Sequence, residues 1–147
     1  MAVSQEFLTR GRSVDRAMVE QFAAKAIAWQ FAPGGRDEGA VDCWGLVFQF
    51  ARHAGIPIPD YRDNATHQGD GGNLFLENFH SHAHEIYRDA MEPGDIVLFR
   101  RAGELRHIGI YLGSGIFLHS DTGGVRRERL SSQPHVRRAS VFLRLNP

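Results

Sequence analysis

The spacing of apolar residues changes period once along this chain, and that single change sets the fold class. Behind Ser13, a residue able to cap a helix, Val14, Met18, Phe22, Ala26 and Trp29 recur at helical intervals and predict a helix that stops near Phe31. A second helix follows a breaker-rich loop from Ala32 to Gly39. Asp42 stands at its start, Leu46, Val47, Phe50 and Ala51 form its apolar stripe, and Gly55 with Pro57 ends it. From Asp95 the period falls to two. Asp95 to Arg100, His107 to Leu112, Ile116 to Ser120, Val125 to Leu130 and Ala139 to Leu145 read as short strands separated by Gly and Pro signals. Helices first and strands afterwards predict an α+β fold, with N-terminal helices packed on a C-terminal antiparallel sheet of about five strands. Between the two halves, residues 56 to 72 read as a loop and residues 73 to 87 as a weaker helix.

The 147 residues suit one domain, spanning 1–147 with residues 1–12 as a tail. A chain of this size buries about 70% of the surface it exposes when unfolded, so neither disulfide nor structural zinc is needed to hold it. The 17 basic groups, of which only Lys25 is a lysine, balance 17 acidic ones. A zero net charge argues against a chain whose main task is neutralising nucleic-acid phosphates. Met1 to Arg16 contains no apolar run of about 7–15 residues and no stretch reaches about 18 uncharged apolar residues, so neither a secretion signal nor a membrane span is expected. The product is expected to be made in a cytoplasm.

The one cysteine, Cys43, cannot form an intramolecular disulfide; it is buried filler, an intermolecular linker or a reactive thiol. Its place just inside a predicted helix start favours the third reading, because the aligned peptide dipoles there favour thiolate over thiol. The Gly-rich loop before it lets a substrate backbone approach, and Gly45 leaves space beside the sulfur. A cysteine nucleophile needs a base, and the base needs a partner that holds its tautomer. In the strand around His107, alternation sets His107 and Tyr111 on one face and Ile108, Ile110 and Leu112 on the other. His119 shares the face of His107 only if the Gly113-Ser114-Gly115 turn sets the register of an odd-numbered loop; a two-residue loop would separate them. The chemistry this predicts is acyl transfer to water. Cys43 attacks an amide carbonyl, its own backbone N–H helps hold the oxyanion, His107 protonates the leaving amine and His119 orients His107, with Asp121 as the alternative orienter.

Four segments in order, Asp42-Cys43-Trp44-Gly45-Leu46-Val47, Glu92-Pro93-Gly94-Asp95-Ile96-Val97-Leu98-Phe99, His107-Ile108-Gly109-Ile110-Tyr111-Leu112-Gly113 and Phe117-Leu118-His119, resemble the NlpC-type peptidoglycan cysteine peptidases. The resemblance covers about residues 15 to 145. It implies a papain-like α+β fold, catalytic Cys43, His107 and His119, hydrolysis of peptide bonds in the peptidoglycan stem, and no metal or cofactor. Trp44, the short length and the missing signal look most like the branch found among bacteriophage tail and gene-transfer-agent genes, where the protein is a tail-tip component working beside tail-tip and hub proteins. Such a virion component reaches the cell wall as part of a particle. The alternative within that setting is a structural tail-tip or hub protein whose catalytic site is silent or occluded.

Two positions depart from the family. Members usually carry serine after the cysteine, which with the preceding aspartate helps bind a substrate amine; here Asp42 is kept but Trp44 replaces the serine. A tyrosine common upstream is replaced by Phe31. Asp42, Trp44 and Phe31 are therefore the expected substrate-binding positions, with altered specificity. His80, His82 and His84 invite a metal reading, but on a helix His82 turns away from the other two and a polar face is the simpler account. Asp60, Asp63 and Asp70 lack the ligand spacing of a calcium loop. Arg126, Arg127, Arg129, Arg137 and Arg138 read as a solvated basic face. Trp29 reads as core.

Overall fold

In the computed structural model, residues 14–56, 58–60 and 82–147 are described. Helix α1 (Arg16–Ala26) is capped by Asp15, whose Oδ1 accepts the Met18 N–H at 2.8 Å; the expected cap, Ser13, lies outside the described residues. The helix ends earlier than its apolar spacing suggests. After Ala26 the backbone finds partners across the chain: Gln30 N–H bonds Gly39 O at 2.9 Å, Ala32 N–H bonds Val41 O at 3.2 Å and Trp29 O accepts from Val125 at 3.2 Å. Gln30–Phe31 is thus strand β1, and the expected loop folds into a hairpin of β2 (Arg36–Asp37) and β3 (Ala40–Val41), giving a small sheet in the order β1-β3-β2. Trp29 is still core, edge-on to Phe22 at 5.6 Å.

Helix α2 (Cys43–His53) forms as its sequence dictates. Asp42 caps it, Oδ1 accepting the Gly45 N–H at 2.7 Å, which satisfies one of the donors a helix start leaves free. Leu46, Val47, Phe50 and Ala51 are fully buried, each large side chain contributing about 1.5–3 kcal/mol of burial. The stripe faces the main sheet. Among the described residues no helix is long and apolar enough to cross a membrane.

The main sheet comprises β4 (Ala83–Glu85), β5 (Ile96–Arg101), β6 (Glu104–Gly113), β7 (Ile116–Asp121), β8 (Gly124–Arg129) and β9 (Ala139–Leu145), with a short helix α3 (His135–Arg138) before β9. Their order is β4-β9-β5-β6-β7-β8, every pair antiparallel. All five expected strands are present. The sixth, β4, lies where a helix was expected: Ala83–Glu85 pairs with Leu143–Leu145, and Ile86 N–H and Asn146 N–H close the ladder on Phe142 O and His82 O at 2.8 Å each. An edge offering backbone partners outweighs a weak helical pattern; residues 73–81 of that expected helix lie outside the described residues.

Both faces of the sheet are buried. Ile96, Leu98, Ile108, Ile110 and Leu118 join the core made with α1 and α2, whereas Val97, Phe99, Phe117, Leu130 and Phe142 form a second apolar cluster. Helix α3 lies against β5 and β9. The turn between β6 and β7 settles the histidine parity. Ile110 and Tyr111 pair with Leu118 and Phe117, but the last pair is Gly113 with Ile116, so Ser114-Gly115 is a two-residue tip and a bulge at Leu112 absorbs one residue. That bulge restores the register of an odd loop. His107 and His119 therefore share the face of Phe99 and Phe117.

Candidate active site

His107 and His119, both buried, meet through His107 Nε2 and His119 Nδ1 at 2.7 Å. Gly109 makes room for this pairing, since a Cβ there would meet Phe117 Cδ2 at 3.0 Å and His119 Cβ at 3.4 Å. The contacts continue outward. His119 Nε2 hydrogen-bonds Glu128 Oε2, His135 Nε2 bonds Glu128 Oε1 at 3.1 Å, and Arg126 Nε stands 3.4 Å from Oε2. Phe117 and Phe99 wall the group, with Phe117 4.7 Å from the His119 ring and Phe99 5.6 Å from that of His107.

Cys43, half-buried, begins α2, and its sulfur receives a hydrogen bond from the main chain of Ile108, the residue after His107. Arg101 and Asp121 exert their charges on both Cys43 and His107, which places the thiol and the imidazole in one electrostatic neighbourhood. Those two residues pair with each other, Arg101 Nη2 to Asp121 Oδ2 at 2.6 Å. Asp121 is thus engaged by arginine, and His119 is the residue hydrogen-bonded to His107. The hydrogen-bond chain runs from Glu128 through His119 and ends at His107.

Burial governs the protonation states. It pushes the Cys43 thiol up to about 12, with the Asp42 carboxylate adding to the effect and the Ile108 main chain and Arg101 opposing it. Burial and the Asp42 carboxylate thus favour the neutral thiol, where the helix start alone was expected to favour thiolate. Burial first, then Arg101 and His119, holds His107 well below its ordinary 6.5, and burial also lowers His119 against the pull of Glu128. For Glu128 partial burial works upward, but hydrogen bonds from His119 and His135 outweigh it and hold the carboxyl down to about 2. At neutral pH the site is a thiol, two neutral imidazoles and a carboxylate.

The expected substrate-binding positions fall differently. Asp42 is buried, its Oδ1 taken by Gly45 N–H and by Arg36 Nη1 at 2.6 Å and its Oδ2 by Gly34 N–H at 3.0 Å. Its charge is met by Arg36, whose side chain is fully buried. Trp44 is 1% exposed and donates Nε1–H to Pro59 O at 3.0 Å, so it packs in the interior. Both serve the chain's own structure. Phe31 is half-buried in β1. Gly45 does not leave space beside the thiol either; a Cβ there would lie 1.9 Å from Gly35 O, so the glycine lets the loop rest directly on the helix.

Arg36, Arg101, Glu128 and His135 were not singled out by sequence. Glu128 was legible in principle: Asp121 pairs with Gly124 across a tight turn, which sets Arg126 and Glu128 on the face of His119. Three ligand-type atoms of His119, Glu128 and His135 lie within 4.8 Å of one another, as do those of His107, His119 and Asp121. In both groups the atoms are joined to each other or to arginine by hydrogen bonds, an arrangement for sharing protons. Of the three central histidines, His84 bonds Asn146 Oδ1 at 2.7 Å on an exposed edge strand and His80 lies outside the described residues. Asp60 supplies its carbonyl to Arg36, while Asp63 and Asp70 lie outside the described residues.

The profile of the NlpC/P60 family matches residues 28–144. A probable endopeptidase of Mycobacterium tuberculosis is 31% identical over 115 residues, covering 78% of this chain and 26% of that protein. The murein DD-endopeptidase/murein LD-carboxypeptidase MepS of Escherichia coli is 29% identical, covering 80% and 55%. The tail tip assembly protein K of Escherichia phage lambda is 34% identical over 86 residues, covering 56% and 43%. The chain thus spans about a quarter to a half of the length of these relatives. Among solved structures, an NlpC/P60 family protein from Bacillus cereus superposes with a TM-score of 0.73 at 17% identity, covering 91% of this chain and 41% of that one. RipD of Mycobacterium tuberculosis, a non-catalytic NlpC/p60 domain protein, shares the fold with a TM-score of 0.57 at 15% identity, covering 87% and 94%.

Proposed function

Since the chain belongs to the NlpC/P60 family, we propose that it is a cysteine peptidase hydrolysing peptide bonds in the peptidoglycan stem. The observation that carries this reading is the buried His107–His119 pair, 2.7 Å apart, which shares the charges of Arg101 and Asp121 with the half-buried thiol at the start of α2. Relatives named as murein and other endopeptidases support the substrate.

His107 has Nε2 engaged by His119 and so presents Nδ1. It takes the Cys43 proton as sulfur attacks the amide carbonyl, forming the C–S bond; the Cys43 N–H at the free helix start supports the oxyanion. The tetrahedral species collapses, His107 returns the proton to the leaving nitrogen and the C–N bond breaks. Water, giving its proton to His107, then cleaves the thioester and restores the thiol. A neutral resting pair suits this order, because His107 is a free base when the substrate arrives.

The likeness to tail tip assembly protein K supports a finer proposal, that the chain works as a phage-tail-tip component opening the cell wall during particle entry. The test is product analysis. Isolated peptidoglycan treated with the protein should yield fragments with new amino and carboxyl termini inside the stem, read by mass spectrometry. Intact stems after prolonged digestion would overturn the peptidase reading and leave the structural role.

A further inference from the structure

The site described above stops, by its sequence signals, at His119, yet the contacts do not. His119 Nε2 and His135 Nε2 both reach the carboxylate of Glu128 on β8, one to each oxygen, with Arg126 beside it. With His119 neutral, the hydrogen-bonding capacity of these groups leaves one consistent arrangement. An ionised carboxylate only accepts, so His119 must carry its proton on Nε2. A neutral His119 then has a bare Nδ1, which accepts at 2.7 Å from His107 Nε2 and fixes the proton of His107 there. The nitrogen of His107 that remains, Nδ1, is left bare and able to receive a proton.

We propose that Glu128 is the positioning residue of this site, setting through His119 the tautomer that makes His107 a base, and that His135 keeps Glu128 aimed. The inference rests on the peptidase reading for its kinetic consequence but not for its structural one. Reversing the direction of hydrogen bonding at position 128 should reverse both imidazoles. A group that only donates there would force His119 to accept on Nε2 and carry its proton on Nδ1, give that proton's hydrogen bond to His107 Nε2, and leave the His107 proton on Nδ1. His107 would then keep no unengaged lone pair to receive a proton.

The experiment compares wild type with Glu128→Gln, which can still accept, and Glu128→Lys, which can only donate; Glu128 is partly exposed, so a longer polar side chain can be accommodated. The first readout is nitrogen-15 NMR of histidine-labelled protein at neutral pH. Wild type and Glu128→Gln should show protons on Nε2 of both His107 and His119, and Glu128→Lys should show them on Nδ1. The second is hydrolysis of peptidoglycan stem peptides. A positioned general base is worth about 100- to 10,000-fold, so kcat of Glu128→Lys should fall about a hundredfold or more with KM within about twofold, and Glu128→Gln should recover most of it. A wild-type His119 protonated on Nδ1, or Glu128→Lys with both protons still on Nε2, would overturn the proposal. Failure of every variant, wild type included, to cleave peptidoglycan would count against the peptidase reading alone, because the NMR result stands without it.

Discussion

Replacing Gly45 by alanine sets two physical effects against each other, and the structure decides the sign. On helix propensity alone the change in α2 should stabilise the chain by about 0.5–1 kcal/mol. The site forbids it. An alanine Cβ would lie 1.9 Å from Gly35 O, 3.0 Å from Gly35 C and 3.2 Å from Val41 Cβ, and the nearest of these is backbone. The loop would have to retreat by about 1 Å or more in a close-packed interior. Such a shift stretches the Asp42 N–H bond to Gly35 O at 3.3 Å and the Arg36 Nη1 bond to the same oxygen at 3.0 Å. Overpacking costs about 1–3 kcal/mol and each weakened hydrogen bond about 0.5–1.5, so the net effect is a loss of about 3 kcal/mol. For a domain of this length that lowers Tm by about 6–12 °C. Thermal unfolding followed by circular dichroism on Gly45→Ala and wild type measures it directly. An unchanged or raised Tm would refute the account of how the loop seats the start of α2.

Arg36→Met strands the buried Asp42 carboxylate without its cation and should cost about 3–5 kcal/mol in urea unfolding, with Arg36→Met/Asp42→Asn costing less than the sum of the two single changes. Because burial holds the Cys43 thiol at about 12, its alkylation by iodoacetamide in the absence of substrate should keep rising about tenfold per pH unit from 7 to 10; a rate already level at pH 7 would show a preformed thiolate instead. Stability should fall with acid over two pH windows. His107 and His119, held below 6.5 in the folded state, lose their contribution as pH falls from 6.5, and Glu128, with a folded value of about 2 against 4.5, loses its own as pH falls from 4.5 toward 2. A Tm constant between pH 8 and 4 would contradict those environments.

Where local chemistry fixes the structure, the residues were readable in sequence. Asp42 caps α2 because a short carboxylate before an apolar stripe at helical spacing has few other uses, and Leu46, Val47, Phe50 and Ala51 follow from the stripe. The strands after Asp95 are likewise carried by alternation. The pairing of His107 with His119 was only half legible: alternation gave the parity of each strand, but a two-residue tip with a bulge at Leu112 is one of several outcomes that Gly113-Ser114-Gly115 permits. What sequence hides are relations across elements. β4 exists because the edge of β9 is open to it, Trp44 is buried because Pro59 returns to meet its indole, and Arg36 enters the interior because Asp42 waits there. Glu128 sat unnoticed within a run of arginines, read as a solvated face until the register of β7 and β8 set it beside His119.

The proposed mechanism makes Cys43 the nucleophile of a stem-peptide hydrolase. Its most direct test is the initial rate of cleavage of a cross-linked muropeptide by equal amounts of folded wild type and Cys43→Ala. Wild type should cleave it, and the rate for Cys43→Ala should be lower by about a thousandfold or more, the loss expected when a covalent route is removed. Equal rates for the two proteins would contradict it.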